Sequence, residues 1–355
     1  MITSLHIKNF RGFEDLQIKD LKRVNLFAGK NNTGKTSVLE ALFLLGGPNN
    51  LFGPAQLRSL REHNSNFFPM TVDDVSVLFH RLAPDAVIDL EQVVDGRREE
   101  VSLMLREVFR ASLPTAPLQT DAAPVPSSFG PPLMHVQEYV VRAREGAGAF
   151  AESSLLFGQA QRMIGAQLPD RPPTILMSSP PALDTPEMES FSHIEELGQT
   201  EGLVRALQEI DPRLKRLVLL AKNGATRIYG DLGLGRLLPL SAMGDGAFRL
   251  LAILLAIARA QNGAILIDDV DSGLHHTVRE KTWAAIGQAA EQYETQVFAT
   301  THSLEMVRAA HAAFRARPKY ELTFYRLERV PSGVTAVYFD QQDMESAEKF
   351  NFEVR

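Results

Sequence analysis

The stretch "GKNNTGKTS", residues 29 to 37, limits what this chain can fold into more than any other. Gly29, four residues, then Gly34-Lys35-Thr36 is the P-loop spacing. In such a turn successive backbone N–H groups point inward and hold phosphate oxygens, and the helix that follows adds its positive N-terminal end. Lys35 is placed to reach the β- and γ-phosphates, and the Thr36 hydroxyl to ligate Mg²⁺. Average residue usage would produce this spacing by accident in a chain this long on the order of one time in a hundred. The flanks argue against accident: "KRVNLFAG" reads as a buried strand and "SVLEALFLLG" as an apolar helix. The candidate nucleotide-binding set is Gly29, Asn31, Asn32, Thr33, Gly34, Lys35, Thr36 and Ser37.

Three C-terminal stretches bear on that cradle. "NGAILIDDVDSGLHH" is an apolar strand, Ala264 to Ile267, ending in Asp268-Asp269. Alone it reads as a strand ending in an acidic turn. With a P-loop upstream, Asp268 takes the Walker B place, a carboxylate at a strand tip that holds Mg²⁺, usually through water. Asp269 then sits where a base could orient an attacking water. "LPLSAMGDGAFRLLAILLAIA" puts a Ser/Gly-rich turn at the start of a long apolar helix. Ser241, Gly244 and Gly246 leave backbone donors open there, a second anion site; the plainer reading is a helix cap by Ser241 or Asp245. "VFATTHSLEMV" is another apolar strand, ending in Thr300-Thr301-His302-Ser303. His302 could hydrogen-bond a γ-phosphate, or be a solvated strand-end histidine.

Composition closes off several classes. The 355 residues are 45% hydrophobic and 23% charged, the profile of one large globular domain or two smaller ones. No apolar run approaches the roughly 18 residues of a membrane span; the best, "LLAILLAIA", is bracketed by Arg249 and Arg259. "MITSLHIKNF" lacks a signal peptide's apolar core. With no cysteine, disulfides, thiolate catalysis and cysteine-based zinc sites are excluded. The expected location is the cytoplasm, with no membrane partner. A formal charge of -6 disfavours a general nucleic-acid coat and leaves a local basic face open.

Pattern sets the organisation. Residues 2 to 29 read as three strands joined by short turns and residues 35 to 46 as the P-loop helix. "DDVSVLFHRL" reads as a further helix, and "AVIDLEQVV" with "EEVSLMLREV" as a hairpin turning at Asp95-Gly96. Residues 111 to 132, rich in Pro, Ala and Ser, read as a mobile loop, followed by a strand in "PPLMHVQEYVVRARE". Residues 186 to 210 look helical, and strands return after them. No heptad pattern persists.

The order P-loop, Ser/Gly turn, Walker B, strand-end histidine resembles an ABC-type ATPase head. The opening "LHIKNFRGFEDLQI" resembles RecF- and SMC-like proteins and not transporter subunits. "LSAMGDGAFRLL", "ILIDDVDSGLHH" and "FATTHSLE" resemble stand-alone bacterial AAA-labelled ATPases related to the ATPase part of the OLD nucleases, here with no TOPRIM-type segment expected. The resemblance covers both ends of the chain; residues 49 to about 175 carry no motif it can place. It implies an α/β fold, an ABC-type P-loop NTPase head with an N-terminal antiparallel β lobe and a helical or irregular insertion. The expected divisions are 1–48 (ATPase lobe with P-loop), 49–175 (insertion), 176–230 (helical segment and returning strands) and 231–355 (C-terminal ATPase lobe).

The resemblance also implies a mechanism. In such heads the signature turn closes over the γ-phosphate bound by a second subunit. Two ATP molecules would be sandwiched in a head-to-tail homodimer, the P-loop acting in cis and Ser241 and Gly244 in trans. Mg²⁺ would be held at Thr36 and Asp268, with Asp269 and His302 catalytic and Asp271 facing the dimer seam. Gln137 is a candidate for the Mg²⁺-sensing glutamine usual in the family. One departure stands out: the usual Walker B ending is Asp-Glu, and here it is Asp268-Asp269. A base displaced by about 1 Å loses on the order of 10²-fold in rate, so slow hydrolysis is expected. The implied role is to switch a protein effector, such as a nuclease, or a DNA-linked process in bacterial defence or DNA maintenance. The other class is an ATP-controlled scaffold with negligible turnover; a transporter subunit is disfavoured by the RecF-like opening.

Overall fold

The computed structural model describes the chain except for residues 63–68, 112–132, 158–161, 166, 169, 178–182, 184, 223, 332 and 351–355. The Pro-rich segment expected as a loop lies outside the described residues.

The chain opens with β1 (Ile2–Phe10) and β2 (Phe13–Lys19), paired antiparallel. Leu5, Ile7, Leu16 and Ile18 are buried while His6, Lys8, Asp15 and Gln17 face outward. That is the period-2 pattern of a half-buried sheet. Next come β3 (Val24–Ala28), the P-loop and α1 (Lys35–Gly46). Beyond it lie α2 (Gly53–Arg61) and the short α3 (Val72–Ser76). The helix expected over 73–82 stops at Ser76, because Leu78 and Phe79 are buried and Phe79 forms a bridge to Phe10. Five strands follow: β4 (Ile88–Val94), β5 (Arg97–Ala111), β6 (Leu133–Glu145), β7 (Ala151–Leu156) and β8 (Arg162–Gly165). β4 and β5 form the hairpin expected at Asp95-Gly96.

These strands extend the first pair into one seven-stranded antiparallel sheet, in the order β2-β1-β4-β5-β6-β7-β8. Among the described residues, the segment expected as a helical or irregular insertion with a β-hairpin carries more strand than helix, and the expected division at 48/49 lies between strands of a single sheet. The open edge of β1 accepts β4 across the intervening sequence. The division expected at 175/176 falls inside β9 (Thr174–Met177).

The second half supplies α4 (Thr185–Glu196), α5 (Thr200–Gln208), β10 (Arg216–Lys222), β11 (Ala225–Asp231) and β12 (Leu237–Pro239). The last three form a small antiparallel sheet. After them come α6 (Asp245–Arg259), β13 (Ala264–Ile267), α7 (Arg279–Gln292), β14 (Gln296–Thr300) and α8 (Leu304–Arg315). β15 (Leu322–Val330), β16 (Gly333–Phe339) and α9 (Gln341–Phe350) close the chain.

The central sheet has the order β16-β15-β3-β14-β13-β9, parallel except for β16. Its inner strands β3, β13 and β14 are buried throughout and mostly apolar because both faces are covered. Val24, Leu26, Ile265, Ile267, Val297 and Ala299 enter the core shared with α4 to α8. Phe27, Leu266 and Phe298, at alternate positions, enter the core shared with α1 and the antiparallel sheet. This sandwiching aligns the carboxyl ends of β3, β13 and β14, where open α/β sheets bind ligands. Glu40 on α1, 1% exposed, accepts from Arg11 at 3.1 Å and Arg61 at 2.6 Å, tying α1 to the β1–β2 turn and to α2. Among the described residues no helix is long and apolar enough to cross a membrane.

Candidate nucleotide site

The cradle is built on two backbone requirements. Gly34, at the N-cap of α1, has φ 93, and a Cβ there would lie 2.5 Å from Cζ of the buried Phe13. Only glycine meets both the left-handed backbone and the close approach. The turn into α6 shares only the positive φ: Gly244 has φ 102 and is the N-cap, a Cβ there would meet nothing within 4 Å, and no side chain caps the helix. Neither Ser241 nor Asp245 is therefore the cap of the plainer reading. Ser241 is exposed, and its hydroxyl makes no hydrogen bond among the described residues.

Within the loop, Lys35 Nζ donates to Gly29 O at 2.9 Å and to Lys30 O at 3.0 Å. The Thr33 hydroxyl donates to Lys30 O at 2.9 Å, and Arg329 donates to Asn32 O at 3.0 Å. Asn31 and Asn32 are exposed at the tip, and Ser37 is half-buried in the first turn of α1. Between the loop and the end of β15 opens a cavity of about 540 Å³ lined by Lys30, Asn31, Arg326, Glu328 and Arg329. A larger hollow of about 940 Å³ lies between α4 and the β10–β11 hairpin, with none of the groups described next.

The strand ends converge on this loop. Thr36 donates its hydroxyl to Asp268 Oδ2 at 2.9 Å. Thr300, at the end of β14, donates to Asp268 Oδ1 and accepts the Asp269 backbone N–H at 2.9 Å. Asp269 holds φ 45, a left-handed backbone uncommon outside glycine. Its carboxylate, half exposed, lies 3.6 Å from His302 Nε2. Asp271 accepts from the Thr301 hydroxyl at 2.6 Å. Gln137 is not part of this group; it lies on β6, opposite Glu107 in the antiparallel sheet.

Electrostatics couple these residues. Burial, then the neighbouring Asp268, push the Asp269 carboxyl above the ordinary carboxylate range, while His302 and Lys35 pull it back. Burial lowers Lys35, and Asp269 and Asp268 oppose the shift. Perturbed groups of opposite sign around a cradle mark a site of chemistry. Thr36 Oγ1 and Asp268 Oδ2 are two hard oxygens side by side, a fit for Mg²⁺. Among the described residues no three His, Asp or Glu side chains could hold a metal by themselves, so the ion would rely on substrate phosphates, as Mg²⁺ commonly does.

Two residues were not legible as site members. In the sequence Thr300 stands only as part of a strand end, and no local signal gives its link to both aspartates. In the sequence Arg249 stands only as a charge bordering an apolar run. It is 2% exposed, and its Nη2 donates to Asp268 O at 3.1 Å and Asp269 O at 3.2 Å. A lone arginine inside an apolar helical stretch was the available clue.

Fold and site are similar to those of ABC-type P-loop ATPase heads of the RecF/SMC-like kind. The family described as "AAA ATPase domain" matches residues 1–89, and that described as "AAA domain, putative AbiEii toxin, Type IV TA system" matches residues 155–308. An ATP/GTP phosphatase of Helicobacter pylori is 24% identical over 338 residues, covering 89% of each chain. The DNA replication and repair protein RecF of Shewanella sediminis is 36% identical over 97 residues, 27% of this chain and 24% of that protein. A solved SmcHead bound to the C-winged helix domain of ScpA shares the fold with a TM-score of 0.50 at 14% identity, covering 98% of this chain and 99% of that one.

Proposed function

We propose that the chain binds ATP with Mg²⁺ and hydrolyses it slowly in a head-to-tail homodimer, so switching a partner. The observation that carries this is the convergence of Lys35, Thr36, Asp268, Asp269 and His302 at the carboxyl ends of β3, β13 and β14. The P-loop amides and Lys35 would hold the phosphates, which Lys35 could reach by leaving the loop carbonyls it now contacts. Thr36 and Asp268 would hold Mg²⁺, which neutralises charge on the phosphates. Asp269 would orient and deprotonate the attacking water, and His302 would bind the γ-phosphate. The exposed, uncapped turn at Ser241 and Gly244 supports a trans role, since its donors are open and no hydrogen bond ties the Ser241 hydroxyl to the same chain's cradle.

The ATP/GTP phosphatase relative supports hydrolysis, and the RecF match supports a DNA-linked setting. The toxin–antitoxin family name and the OLD-like motifs support bacterial defence. The antiparallel sheet favours a protein effector, such as a nuclease, over DNA bound across its outer face. There Arg98, Arg106, Arg142 and Arg144 are each engaged by Glu91, Glu100, Glu138 or Glu152. Cations already paired offer little to phosphates. Asp269 in place of the usual glutamate favours the second reading, an ATP-controlled scaffold with negligible turnover.

Phosphate release by the full chain with ATP and Mg²⁺, run beside sedimentation, separates these readings. Turnover with an ATP-dependent dimer supports the first. A dimer without turnover supports the second, and neither signal sinks both. If a dimer exists without nucleotide, mixing inactive Lys35→Ala and Ser241→Arg chains decides the sharing. Recovered turnover requires a site built from two chains; no recovery in proven mixed dimers counts against it.

A further inference from the structure

Arg249 lies just over one turn into α6, the helix that begins at the Ser/Gly turn. Its neighbours Leu250, Leu251 and Ala252 are buried, and so is Arg249 itself. Arginine is seldom fully buried, and a guanidinium taken out of water needs compensation. Here the compensation is incomplete. Nη2 alone is used, on the carbonyls of Asp268 and Asp269 at 3.1 and 3.2 Å. Nε and Nη1 are buried without a hydrogen-bond partner among the described residues. An apolar side chain of similar length would fill this place in the helix without leaving donors unmade. The cation therefore calls for a reason at the point it reaches.

That point is the Asp268–Asp269 turn. The Asp269 backbone stands at φ 45, held on one side by its own N–H on the Thr300 hydroxyl and on the other by the carbonyls under Arg249. Fixing both ends of a strained residue fixes where its Cβ points. The three carboxylates of Asp268, Asp269 and Asp271 all act on the guanidinium and oppose the effect of its burial.

We propose that Arg249 is a positioning residue: by gripping the carbonyls of Asp268 and Asp269 from α6, it holds the left-handed Asp269 backbone and so aims the Asp269 carboxylate at the reacting water. Among the described residues its hydrogen bonds go to these two carbonyls and not to the P-loop. The inference rests on Asp269 being the base, as proposed above.

The test uses the full chain. Arg249→Met keeps the apolar stem and removes the donors; Arg249→Lys keeps the charge on a shorter side chain that ends short of the place where Nη2 meets both carbonyls. Turnover should fall about 10²-fold in Arg249→Met, the scale of a base misplaced by about 1 Å. Arg249→Lys should fall in between. Affinity for fluorescent ATP should stay within about threefold of wild type, because no P-loop contact is lost. The decisive readout is a double-mutant cycle. In an Asp269→Asn background, Arg249→Met should reduce the residual rate by less than about threefold, since the group it aims is already gone. Full additivity, an affinity loss matching the rate loss, or an unchanged rate in Arg249→Met overturns the proposal. If Arg249→Met melts before assay temperature, Arg249→Lys carries the same cycle. Absence of turnover in the wild type sinks the reading of Asp269 as base and this inference with it; wild-type turnover with an unaffected Arg249→Met sinks this inference alone.

Discussion

The hydroxyl of Thr36 donates to the carboxylate of Asp268 at 2.9 Å across 232 positions of sequence, joining the first turn of α1 to the tip of β13. Two oxygens so placed should share one ion. Thr36→Val and Asp268→Asn should each weaken Mg²⁺-dependent ATP affinity by at least about tenfold, a typical effect of disturbing a metal site. Binding without Mg²⁺ should persist. Titration with and without the ion checks this; equal loss in both conditions would mean the pair only holds the fold.

Lys35→Ala removes the cation expected at the β- and γ-phosphates and leaves a loop that can still fold around Gly34. ATP binding should be abolished in a folded protein. Unchanged affinity by calorimetry would sink the site assignment.

His302 lies 3.6 Å from Asp269 and is expected to meet only the γ-phosphate. His302→Ala should spare ATP affinity and lower turnover by about 10²-fold, the lower end for a group acting on the transferred phosphoryl or its water. Equal loss of ADP and ATP affinity would make it a structural histidine.

Asp269→Asn and Ser241→Arg should act in opposite directions on assembly. The first keeps shape and removes the base, so ATP should accumulate unhydrolysed and the dimer should persist. The second puts a bulky cation in the exposed turn before α6. Each chain should still bind ATP, with no ATP-dependent dimer and little turnover. Sedimentation with ATP and Mg²⁺ reports both. Normal dimerisation of Ser241→Arg rejects the sandwich.

Asp269 also predicts a pH effect on the nucleotide-free chain. Burial, then Asp268, raise its carboxyl in the folded state. A carboxyl raised on folding contributes stability while protonated and loses it as pH rises through the folded value. Asp269→Asn never ionises, and asparagine tolerates positive φ. At about pH 7.5 the variant should melt roughly 1–2 °C above wild type, a small gain because the group is half exposed. The difference should shrink as pH falls and vanish below about pH 3, where the aspartate is protonated in both states. A variant less stable than wild type at neutral pH would show that the charge is instead favourable there.

Local sequence determined a large part of this protein. The spacing of Gly29, Gly34, Lys35 and Thr36 specified the cradle because backbone geometry and helix dipole act within a few residues. The apolar runs Val24–Ala28, Ala264–Ile267 and Gln296–Thr300 announced buried parallel strands, and their polar ends named Asp268, Asp269 and His302. Tertiary structure decided which ends meet. The strand order β3-β14-β13 puts Thr300 between the P-loop and Asp268, and no spacing in the chain encodes that neighbour. It also decided that β4 to β8 extend the first antiparallel sheet, since a strand's choice of edge depends on long-range pairing. The fit of Arg249 beneath Asp269 belongs to the same class. A charged residue in an apolar helix looks like a boundary until the packing of α6 against β13 shows what it grips, because burial and hydrogen-bond partners are properties of contacts between distant segments and not of the segment alone.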